Sequence, residues 1–260
     1  MSKKFLCDYK IQGKGPVLFL IHGIGASKDA WSQMIEDLSN FFLVITYDLR
    51  GHGNSIVTDK NFTIEKLIDD LENLRSHLNF EKGHFVGHSL GGMIAPLYAI
   101  KYPKRVLKIG MLSTIAGRSD KDRKKVLNII EEMENTGIEK TLKTLTSRWF
   151  TDKFIMKKPD LVQKRLKQVL ETDPEVFLNV FKIYANTEIF PLLKNITQPT
   201  LLLTGENDLG CSPKHNEIMS EQIPLSEFII VPYLKHSLLI ESPNQINQHL
   251  INFLNKKNHQ

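Results

Sequence analysis

The chain has 260 residues, 41% hydrophobic and 24% charged, which fits between one and two domains with a sizeable core and excludes a peptide, a large multidomain machine or a mainly disordered chain. Its net charge of +5 is dispersed; the densest basic run, Lys121 to Lys125, is broken by Asp122 and lacks the companions of a nucleic-acid module. Cys7 and Cys211 lie far apart and match no metal or redox spacing, no apolar run nears the roughly 18 residues that cross a bilayer, and Asp8 interrupts the N-terminus too early for a signal peptide.

Phe5 to Gln12 alternates imperfectly and predicts a weak edge strand. Apolar, β-branched runs at Val17 to Ile21, Leu43 to Tyr47, His84 to Val86 and Val106 to Leu112 predict strands, each ending near a polar or Gly-bearing loop. Between the second and third, Ile64, Leu67, Ile68, Leu71, Leu74 and Leu78 recur at helical spacing and predict one buried stripe. From about Gly117 to Phe190 no strand-like run occurs. Val126, Ile129, Ile130 and Met133 predict helices there, and over half of the net positive charge falls in this stretch. The strand rhythm resumes at Thr200 to Thr204 and Phe228 to Val231. Strands alternating with helical segments predict an α/β fold, a mostly parallel sheet with helices on both faces.

Gly87-His88-Ser89-Leu90-Gly91-Gly92 follows a predicted strand and precedes a helix-like run. A serine between two small residues in that position fits a nucleophile elbow, a strained turn that tolerates no nearby Cβ. The helix beginning after Ser89 directs free N–H groups and its positive dipole end toward a developing oxyanion. His22-Gly23-Ile24-Gly25 ends an earlier strand, and a loop there supplies a second donor; the paired backbone amides are those of Ile24 and Leu90. His22 directly after a strand fits a loop-fixing bond better than a base, and His88 fits support of the elbow or lining of a pocket. Both stay candidates for substrate contact.

These segments, together with Asp48-Leu49-Arg50-Gly51-His52-Gly53-Asn54-Ser55, resemble an α/β-hydrolase in order and spacing over nearly the whole chain. The resemblance implies a helical cap inserted after the sixth strand, dividing the chain into a core hydrolase domain at 1–116 and 191–260 and a cap at 117–190. It also implies an acid after a later strand and a histidine near the C-terminus. Asp208, in Thr204-Gly205-Glu206-Asn207-Asp208, and His236 match those positions, with Glu206 a rival acid. The implied catalytic set is Ser89, Asp208 and His236, acting without cofactor or metal on a small-molecule substrate; the two unpaired cysteines and the unreadable signal peptide predict a cytoplasmic protein. No nucleic-acid or membrane partner is implied, and the oligomeric state is left open.

A serine at position 89 excludes the carboxylate-dependent dehalogenase and epoxide-hydrolase branches. Ser147-Arg148-Trp149-Phe150-Thr151 and the run from Gly13 to Ala26 resemble the 3-oxoadipate enol-lactonases. That resemblance implies a small acidic ester or lactone, with Arg148 pairing with a carboxylate and Trp149 forming an apolar wall, unless both are cap packing. The alternatives are a ring-fission carbon–carbon hydrolase and a non-catalytic ligand-binding homologue.

Overall fold

A computed structural model describes residues 7–256; Phe5 and Leu6, at the start of the expected edge strand, lie outside the described residues. Among the described residues one sheet holds β1 (Tyr9–Gln12), β2 (Val17–Ile21), β3 (Leu43–Tyr47), β4 (Gly83–His88), β5 (Val106–Leu112), β6 (Thr200–Gly205) and β7 (Ser226–Val231). The spatial order is β1-β3-β2-β4-β5-β6-β7. β1 runs antiparallel to β3 and every other neighbouring pair is parallel. β7 starts at Ser226 rather than Phe228, because Ser226 and Glu227 pair with Thr200 and Leu201 beyond the apolar run.

The helices are α1 (Ile35–Ser39), α2 (Ile64–His77), α3 (Gly91–Lys101), α4 (Asp120–Thr136), α5 (Ile138–Trp149), α6 (Asp152–Lys157), α7 (Pro159–Glu171), α8 (Pro174–Asn186), α9 (Pro213–Gln222), α10 (Leu238–Glu241) and α11 (Pro243–Asn255). Alternation along the strands decides which helices cover which face. Phe19 and Ile21 of β2, with Ile45 and Phe85, pack in one cluster with the α2 stripe and with Met93, Ile94 and Tyr98 of α3. Leu18, Leu20, Val44 and Val86 point the other way and pack with Leu38 of α1 and with Ile246, Leu250 and Phe253 of α11. Burial on both faces is why these strands read as continuous apolar runs.

The predicted helical stretch holds α4 to α8. Ser119 starts it by accepting the Asp122 N–H at 3.2 Å, and Asp173 caps α8 ahead of Pro174. These helices follow the fifth strand in chain order, not the sixth. Only β1 precedes β2 among the described residues, so the count implied by the resemblance is one too high. Phe177, Val169, Leu142, Leu145 and Met133 give the helices a small core of their own.

The chain leaves β2 toward β3 on one side and returns to place β4 on the other. That reversal opens a crevice beyond the carboxyl ends of β2 and β4, where open α/β sheets receive their ligands.

Candidate active site

Ser89 leaves β4 at φ +56°, in the left-handed region that a non-glycine residue rarely occupies. The surroundings hold it there. Its N–H donates to Leu112 O of β5 at 2.9 Å, and Thr114 Oγ1 donates to Ser89 O at 2.8 Å. The turn also needs Gly91, since a Cβ there would lie 2.2 Å from Ile21 O. The strain therefore aims one hydroxyl into the crevice from a rigid frame.

Asp208 follows β6, and its loop secures it completely. Oδ1 accepts the N–H groups of Gly210 at 3.0 Å and Cys211 at 2.9 Å. Oδ2 faces His236 Nδ1 at 2.8 Å. Asp208 is only 2% exposed, and burial alone would raise its pKa, yet the imidazole and the two amides hold it down to about 2. Burial likewise disfavours a charged His236, but the adjacent carboxylate outweighs it and lifts that imidazole above its ordinary range. The rival Glu206 is exposed and accepts the Tyr233 N–H at 2.8 Å instead. Ser89, Asp208 and His236 line the same cavity, of about 720 Å³.

The loop after β2 crosses above the elbow, and Gly23 permits the approach: a Cβ there would come within 3.0 Å of Ser89 Cβ. The N–H groups of Ile24 and Leu90 are taken by no other group among the described residues. His22 does not line the cavity. Its Nδ1 donates to Gly23 O at 2.7 Å and its Nε2 accepts the Leu49 N–H at 2.9 Å, so its ring is spent on fixing the loop and has no atom for substrate. Burial keeps it neutral. His52 accepts the Gly25 N–H at 3.2 Å. His88 lines the cavity, and its Nε2 donates to His236 O at 2.9 Å; burial pushes it down to about 3, so it is a neutral prop for the His236 loop.

The α4 to α8 helices close the cavity from above. Trp149 and Arg148 both line it; Trp149 is half-buried and Arg148 sits exposed at the rim. Trp149 O accepts the Ser237 N–H at 2.9 Å, tying the end of α5 to the His236 loop. Arg165 of α7 reaches down to Gly25 O, donates to Ile24 O at 2.9 Å, and stacks 5.4 Å over Trp149. Asp29, Asp48, Asp122 and Glu171 of the lining each pair with a lysine, and Asp208 pairs with the His236 imidazole. Arg118, Arg148, Lys164 and Arg165 have no acidic partner among the described residues, so the cavity is electropositive.

The alpha/beta hydrolase fold family matches residues 16–243. The chain belongs to the α/β-hydrolase family. It is 28% identical over 233 residues to 3-oxoadipate enol-lactonase 1 of Acinetobacter baylyi, covering 90% of this chain and 86% of that one. Its fold matches the crystal structure of the enol-lactonase from Burkholderia xenovorans with a TM-score of 0.90 at 22% identity, over 96% of each chain. It also matches a thermophilic esterase from Thermogutta terrifontis, solved with malate bound, with a TM-score of 0.87 at 27% identity over 95% of this chain and 92% of that one.

Sequence reasoning missed two arginines of this α/β-hydrolase. Arg165 sits in Gln163-Lys164-Arg165-Leu166-Lys167, and Arg118 follows Gly117 just before α4. No local signal marks either, because only the packing of α7 and α8 against the core brings them to the cavity. Asp208, Cys211 and His236 offer three metal-ligand atoms within 4.8 Å of one another. Two of these atoms already share the Asp208–His236 hydrogen bond, and no helix among the described residues is long and apolar enough to cross a membrane.

Proposed function

We propose that this protein hydrolyses a small, negatively charged carboxylic ester or lactone through a Ser89, His236, Asp208 triad, with residues 117–190 as the cap over the site. The observation that carries this reading is the 2.8 Å contact of His236 Nδ1 with a buried carboxylate in the cavity that the strained Ser89 lines. With Nδ1–H donated to Asp208, the Nε2 lone pair is free to accept the Ser89 proton.

Ser89 Oγ attacks the carbonyl carbon while His236 takes its proton. The tetrahedral oxyanion receives the N–H groups of Ile24 and Leu90. Collapse expels the alcohol, or opens the ring of a lactone, as His236 returns the proton to the leaving oxygen. Water activated by the same imidazole then releases the acid from the acyl-enzyme. The unpaired cations favour an anionic substrate, and the similarity to an enol-lactonase supports a lactone.

A panel of lactones, aryl esters and alkyl esters, compared by turnover, tests the assignment. Turnover of a chromogenic short-chain ester should fall by several orders of magnitude in Ser89→Ala, and a fluorophosphonate should label Ser89 of the folded protein. Failure to label would remove the nucleophile from the mechanism. A dienone ring-fission substrate turned over faster than any ester would replace ester cleavage with carbon–carbon cleavage.

A further inference from the structure

Two arginines without acidic partners flank Ser89 from opposite sides. In the sheet, β2 and β5 are the two neighbours of β4, whose end carries Ser89. Arg165 lies on the β2 side, anchored on the carbonyls of Ile24 and Gly25. Arg118 lies on the β5 side, six residues beyond Leu112. Its Nη1 donates to Tyr184 O at 2.7 Å and Ala185 O at 3.3 Å at the end of α8, and its guanidinium lies 4.5 Å over the Tyr184 ring.

Two acids close to Arg118 do not pair with its guanidinium. Glu188 accepts the main-chain N–H groups of Gly117, Arg118 and Phe190, and Asp122 is paired with Lys125 and Ser119. Arg118 Nε is buried and finds no acceptor. A half-buried guanidinium with one buried N–H unmet and no carboxylate on its fork costs free energy that a bound anion would return, and the planar fork of arginine suits a carboxylate. Arg165, likewise half-buried and without an acidic partner, gives one N–H of each Nη to the Gly25 and Ile24 carbonyls and keeps its other donors for an anion.

We infer that the cavity binds a substrate with an anionic group at each end, one held at Arg165 and the other at Arg118, with the scissile carbonyl over Ser89 between them. This rests on the hydrolase reading above and narrows its substrate class to dianionic esters or lactones.

The test is binding of the linear dicarboxylates from succinate to suberate to the wild-type chain by calorimetry, each against the monocarboxylate of equal length. The best dicarboxylate should bind at least tenfold more tightly than its monoanionic counterpart, and the advantage should shrink with added salt. Arg118→Gln should abolish the advantage, and Arg118→Lys should restore part of it. Equal binding of mono- and dicarboxylates by the wild-type chain overturns the inference, and this arm needs no variant. So does a folded Arg118→Gln chain that keeps the full preference. Ester turnover and Ser89 labelling report separately on the hydrolase reading: a dianion preference without turnover defeats that reading alone, and turnover without preference defeats this one.

Discussion

A serine hydroxyl is a poor nucleophile at neutral pH, so in the proposed reaction the burden falls on the protonation state of His236. The Asp208 carboxylate raises that imidazole's pKa, and the base form predominates only above it. The activity should therefore rise with pH through an inflection above the ordinary imidazole value of about 6.5; a kcat/KM profile flat from mild acid to mild base would contradict this. The sign for stability is the reverse. A raised folded pKa makes the charged pair contribute below the unfolded value, and that contribution fades as pH rises through the folded one. Asp208→Asn should lower kcat by about 10⁴-fold, since the amide supports the wrong tautomer. Glu206→Gln should leave kcat near wild type, because Glu206 turns outward to the Tyr233 N–H.

The elbow and the α4 to α8 helices act as whole elements. Gly91→Ala would drive a methyl group into the main chain of β2. The helix or the strand must shift, at a cost of about 3 kcal/mol, and a lowered urea midpoint would register it. Arg165 joins α7 to the loop after β2, holding the Ile24–Gly25 peptide from above while His52 takes its N–H from below. Arg165→Leu should lower kcat at least tenfold, with partial recovery in Arg165→Lys, whereas unchanged kcat would mean that the loop keeps its shape without the clamp. Arg148, carried in the sequence as the partner of a carboxylate, sits at the exposed rim, and Arg165 occupies the enclosed position beside Trp149.

Across the whole molecule, neutral histidines are built into the core. Burial pushes His52 and His84 down to about 4 and holds His22 well below its ordinary value. A depressed folded pKa gives stability that is fully present above the unfolded value of about 6.5 and is lost as pH falls. Each such histidine should remove on the order of 1.4 kcal/mol per pH unit between 6.5 and its folded value. Urea unfolding at pH 5 should therefore give a clearly lower stability than at pH 7.5. Equal stabilities would mean that these rings are solvated.

The sequence by itself determined the strands and the elbow, because both are written in local terms. Two-faced burial demands apolar runs such as Leu18 to Ile21, and a turn with no room for Cβ demands glycine around Ser89. Asp208 and His236 were legible only through their place after strands in a family pattern; their 2.8 Å contact joins positions 28 residues apart, which no spacing rule connects. Only tertiary packing decided that His22 turns away from the cavity and that Arg165 and Arg118 face it. Whether a polar side chain meets solvent, a carbonyl or a ligand depends on which element folds over it, and that is settled by distant helices rather than by neighbours in the chain.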